Sequence, residues 1–139
     1  MVIVGGGEVG VETALHLAQK GKNVTVLEMK DIAAAEARRG HYYNMFMDAV
    51  REYRDNLKIL LQVVCTGISA AGVTYKDADD AEHTLAAGTV LLATGLRADV
   101  SGAEKYMNCG KQFYIIGDCA QMGNLQTAIR SAWSIVNTI

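Results

Sequence analysis

The sequence predicts an α/β fold: three layers around a parallel sheet of order 3-2-1-4-5, with an antiparallel β-meander set apart. Three observations carry this prediction. A short apolar run, Val2-Ile3-Val4, stops at three glycines and is followed by a helical stripe and a second apolar run. Residues 63–86 change texture to short β-like pieces separated by turn residues. Two later runs, residues 89–93 and 113–116, are again continuously apolar or nearly so and each meets a glycine.

Taken in order, Val2-Ile3-Val4 suits a strand buried on both faces. Val11, Ala14, Leu15 and Ala18 then fall at the i, i+3, i+4, i+7 positions of an amphipathic helix. Gly21 stands where that helix would be capped, and Lys20 and Lys22 complement its negative end. Residues 23–28 read as a second strand, completing a βαβ unit with a right-handed crossover. Residues 31–43 are alanine-rich and polar and receive no element. Phe46, Ala49, Val50 and Tyr53 mark a second helix, with Asp48, Arg51, Glu52 and Arg54 on its other side. Lys58-Ile59-Leu60-Leu61 is the third strand, and the meander turns at Ala71-Gly72 and at residues 77–80. Residues 89–95 return to a buried strand ending in Gly95.

The polar connection of residues 96–112 is long enough for the crossover that a parallel neighbour needs. It leads to a fifth strand, residues 113–117, closed by Asp118. Leu125, Ala128, Ile129, Ala132, Trp133 and Val136 form the stripe of the last helix. The division expected is residues 1–95, a nucleotide-binding domain, and residues 96–139, a strand and helix packed on the same sheet. Exchange of that strand and helix between two chains, giving a homodimer, is the competing arrangement, because an uncovered apolar strand invites edge pairing.

Composition narrows the function classes. The chain has 139 residues, half of them hydrophobic, enough for one real core. Thirteen basic residues oppose 15 acidic ones, so neither nucleic acid nor an acidic membrane is an electrostatic partner. No apolar run approaches the roughly 18–20 residues of a membrane span, and the first four residues are too short for a signal-peptide core. Cys65, Cys109 and Cys119 lack CxxC spacing, which points to reduced thiols in a cytoplasm and not to a disulfide framework or zinc site. His16, His41 and His83 show no ligand spacing, so no metal site and no catalytic histidine is assigned.

The glycines carry the chemistry. Gly5-Gly6-Gly7-Glu8-Val9-Gly10 fits G-x-G-x-x-G, with the motif glycines at Gly5, Gly7 and Gly10. The first allows a tight turn out of the strand, the second lets a pyrophosphate approach the backbone, and the third lets helix and strand pack closely. Backbone N–H groups of the first helical turn, around Glu8 and Val9, then face the phosphates. Glu28 closes the second strand, where a carboxylate can accept both ribose hydroxyls of an adenosine and repel a 2′-phosphate. That favours NADH over NADPH, although Lys30 and the pair Arg38-Arg39 stand nearby in sequence. Glu12 is either a favourable charge at a helix start or a neighbour of the nicotinamide. A βαβ turn that binds nothing and a methyltransferase-like Rossmann domain are the other readings of the same loop.

Residues 2–14 together with Val24-Thr25-Val26-Leu27-Glu28-Met29 resemble the pyridine-nucleotide domain of flavin-dependent disulfide-reductase-like enzymes, the pyridine nucleotide-disulfide oxidoreductase superfamily. Leu91-Leu92-Ala93-Thr94-Gly95 resembles their second glycine motif, and Tyr114-Ile115-Ile116-Gly117-Asp118-Cys119 their later Gly-Asp motif. Within the superfamily the chain is most similar to the carboxyl-terminal part of NADH:flavin oxidoreductases of the 2,4-dienoyl-CoA reductase and enoate reductase group.

The resemblance implies a Rossmann-like fold that binds NAD(H) and, in the complete parent enzyme, FAD, with hydride passing from NADH to the flavin. It places Ala93, Thr94 and Gly95 beside the cofactor cleft and Gly117 and Asp118 at the ribityl chain of FAD. The family carries two glycine fingerprints, whereas this chain has one. The amino-terminal half of the FAD domain, the FMN-bearing barrel and the iron–sulfur cysteines have no counterpart here. The chain therefore reads as a fragment, partnered in the parent by the remainder of the FAD domain and not catalytically complete alone. A non-catalytic nucleotide-binding or regulatory module is the alternative.

Overall fold

The computed structural model describes residues 1–139, the Arg39 side chain excepted. It divides into two compact units, Met1–Gly95 and Leu96–Ile139.

The first unit runs β1 (Val2–Val4), α1 (Glu8–Gln19), β2 (Val24–Leu27), α2 (Tyr43–Glu52), β3 (Leu57–Leu60), β4 (Val64–Ser69), β5 (Gly72–Lys76), β6 (Glu82–Leu85) and β7 (Val90–Leu92). One sheet has the order β3-β2-β1-β7 with every pairing parallel, and a second, β4-β5-β6, is antiparallel. Alternation along the strands explains the layers. Ile3, Val24 and Val26 point to one face and pack with Val11, Ala14 and Ala18 of α1. Val2, Val4 and Leu27 point to the other and pack with Val63 and Val73 of the meander side. β1, apolar at every position, is thus covered on both faces.

Register sets the functional edge. Val4 is level with both Leu27 and Leu92, so Gly5, Glu28 and Ala93 follow directly at the carboxyl ends of three neighbouring strands. The helix ends are well defined. Gly21 has φ +73°, and the bonds Gly21 N–H to Ala18 O (2.8 Å) and Lys22 N–H to Leu17 O (3.1 Å) close α1 in a Schellman pattern. Asn56 Nδ2 donates to Ala18 O and Lys22 O, at 2.8 and 3.0 Å, tying that helix end to the start of β3.

The second unit holds α3 (Val100–Glu104), a 3₁₀ turn at Gly117–Cys119 and α4 (Leu125–Val136). Asp99 caps α3, and α4 begins with a reciprocal box between Asn124 and Thr127. Here the structure corrects the sequence reading. Residues 113–116 form no strand and join no ladder, so the parallel sheet is 3-2-1-4 and ends at β7. Phe113 and Ile115 instead share a groove with Ala103 and Tyr106 of their own unit. A short apolar run specifies burial of alternate side chains, and a helix can supply that burial as well as a sheet. The helix α3 lies in the polar connection of residues 96–112, to which the sequence assigned no element. The apolar stripe of α4 is largely uncovered, with Leu125 77%, Ile129 59%, Trp133 69% and Val136 63% exposed. Among the described residues no helix is long and apolar enough to cross a membrane.

Candidate functional site

The glycine loop leaves β1 at the level of Glu28 and Ala93, and each of its glycines meets a different constraint. Gly5 has φ +105°, and a Cβ there would lie 2.3 Å from the Ala93 carbonyl oxygen. A Cβ on Gly10 would lie 2.0 Å from the Gly5 carbonyl oxygen, so α1 can approach the loop only without a side chain at this position. Gly7 is the opposite case: its nearest neighbour would be Glu36 Oε2 at 4.0 Å, and its φ of −65° is open to any residue. Gly7 is also the N-cap of α1 and no side chain caps the helix, which leaves the positive end of the dipole to the surroundings.

Glu28 is 7% exposed and braces the loop from below. Its Oε2 accepts from the Gly6 N–H at 2.6 Å and its Oε1 from the Lys30 N–H at 2.8 Å. A carboxylate offers about four acceptor sites, so these two bonds leave capacity for a hydroxyl. Gly6 is fixed from both sides, because its carbonyl accepts from the Ala34 N–H at 2.8 Å. The segment 31–42 is thereby fastened to the loop, with Ala33, Ala34 and Ala37 buried in the core shared with α1. Tyr42 Oη donates a hydrogen bond to the Glu8 carboxylate at the start of α1. Beyond β2 a cleft of about 640 Å³ is lined by Asp31, Ile32, Arg38, Gly40, His41, Tyr43 and Asn44.

Of the residues singled out from sequence, Gly5, Gly7, Glu8, Val9, Gly10, Glu28 and Ala93 gather at this edge. Val9 is 70% exposed on the first turn of α1. Thr94 and Gly95 continue from Ala93 as exposed residues, and Glu12 is exposed one turn into α1. The Arg39 side chain lies outside the described residues. Gly117 and Asp118 belong to the second unit. There Gly117 (φ +62°) gives its N–H to Ser131 Oγ at 2.9 Å, and Asp118 Oδ1 accepts from the Gly123 N–H at 3.3 Å. Sequence reasoning gave no role to Gly6, Ala34, Glu36 or Tyr42, and it noted Lys30 only as a nearby cation. Their signal is tertiary, and only the unassigned alanine-rich segment beside the glycine loop hinted at it.

The sequence profile of the pyridine nucleotide-disulphide oxidoreductases matches residues 1–132. The chain belongs to this family. As a family member it is 28% identical to a bilirubin reductase of Mediterraneibacter gnavus, over 100% of this chain and 21% of that protein. It is 27% identical to an NADH oxidase of Thermoanaerobacter brockii, over 97% of this chain and 20% of the relative. Among solved structures it is similar to a 2-naphthoyl-CoA reductase, with a TM-score of 0.82, 28% identity, and coverage of 99% of this chain and 21% of that one. The chain thus spans about a fifth of the length of these relatives. Its α/β architecture, a four-stranded parallel sheet beside a three-stranded antiparallel one, is that of the dinucleotide-binding oxidoreductase folds.

Proposed function

We propose that this chain is the NAD(H)-binding portion of a flavin-dependent oxidoreductase of the NADH:flavin oxidoreductase type, similar to the dienoyl-CoA and enoate reductases. The observation that carries the reading is the asymmetry of the glycine loop. Gly5 and Gly10 are packed shut against backbone, whereas Gly7 is open at an uncapped helix N-terminus. A pyrophosphate needs that combination of a rigid loop and one bare backbone face.

In this reading the backbone of Gly7, Glu8 and Val9 binds the phosphates, and Gly5 and Gly10 hold the loop in shape. Glu28 accepts the adenosine ribose while bracing Gly6, and its charge disfavours a 2′-phosphate, so NADH is the preferred ligand. Ala93, Thr94 and Gly95 border the nicotinamide half with Glu12. When bound, the nicotinamide supplies a hydride and FAD takes it up. The protein orients these partners; Gly117 and Asp118 belong to the FAD side, and the remainder of the flavin domain covers the exposed stripe of α4. The free thiols Cys65, Cys109 and Cys119 suit a reducing, cytoplasmic setting.

The test is a fluorescence titration of the full chain with NADH, NADPH and S-adenosylmethionine in parallel. Saturable binding of NADH, tighter than NADPH, is expected. Binding of S-adenosylmethionine with no response to either nicotinamide dinucleotide would replace this reading by a methyltransferase-like one.

A further inference from the structure

We draw no further inference here: the strongest candidate, the polar cleft beyond β2 lined by Asp31, Arg38, His41 and Asn44, belongs to the dinucleotide site already described.

Discussion

Replacing Glu28 should unfold the glycine loop before it changes ligand choice. The carboxylate is 7% exposed and receives the N–H groups of Gly6 and Lys30 at 2.6 and 2.8 Å. Lys30 is exposed and its freed N–H can turn to water, but Gly6 is buried and its N–H would lose its partner. A stranded buried donor costs about 1–3 kcal/mol, and the lost bond is of the stronger charge-assisted kind, so Glu28→Ala should cost about 2–4 kcal/mol. At about 4–8 °C per kcal/mol for a domain of this size, the melting temperature should fall by roughly 10–30 °C. Glu28→Gln keeps the shape but presents an NH₂ group to one of the two donors, so it should cost about 1–2 kcal/mol. Denaturant unfolding of the three proteins, without ligand, measures this directly. A Glu28→Ala protein within about 0.5 kcal/mol of the parent would refute the brace. The comparison of NADH with NADPH, which tests the ribose role, is then made at a temperature where every variant is folded. A loss confined to NADH supports ribose recognition, and an equal loss for both leaves Glu28 as a brace alone.

Gly10 and Gly7 should separate stability from binding. Gly10→Ala drives a Cβ to 2.0 Å from a backbone oxygen and should cost about 3 kcal/mol or more by denaturant unfolding. Gly7→Ala enters open space, so it should change stability by no more than about 1 kcal/mol while lowering dinucleotide affinity in the same titration. At the β5–β6 turn, the bond from His83, followed by the backbone bonds of Ala81 and Asp79, holds the Asp77 carboxyl below its ordinary value of 3.8, against an opposing desolvation. Its contribution to the turn is therefore present above that value and lost as pH falls through the lower folded value. The protection of the Asp79 and Ala81 amides, taken relative to intrinsic exchange at the same pH, should fall in that acid range, and Asp77→Asn should abolish this change in protection. Finally, Trp133 is 69% exposed on the apolar stripe of α4, so Trp133→Gln should reduce hydrophobic-dye binding by the chain without lowering its melting temperature.

What was legible in the sequence is what depends on local period and on single residues. The stripe of α4 begins at Leu125 and ends at Val136, where the helix itself begins and ends. The glycine run separated β1 from α1, and turn residues located the meander strands. The third strand was displaced by one residue, to Leu57–Leu60, because Leu57 is buried and Leu61 is exposed at a site where both are equally apolar. The unpaired run at residues 113–116 was not legible, since apolarity reports burial and not the identity of the neighbour. Nor was the brace between Gly6 and Glu28 or the contact of Tyr42 with Glu8. Those bonds join residues 22 and 34 positions apart, beyond any periodic signal.

The three motif glycines are the same letter in the sequence and carry different physical burdens in the fold. Gly5 answers to a left-handed φ and the Ala93 carbonyl, and Gly10 answers to the Gly5 carbonyl. Either requirement would persist in a loop that bound nothing, so neither glycine is evidence of a ligand. Gly7 has an unremarkable φ and empty space beside it, and beyond a modest preference for glycine at an N-cap folding gives little reason for it there. A residue that stability would readily exchange, placed at the uncapped start of a helix, is accounted for in the proposed reading by a pyrophosphate that must approach the backbone. The proposed dinucleotide site therefore depends on the least constrained glycine of the motif, and titration of the folded Gly7→Ala protein decides it.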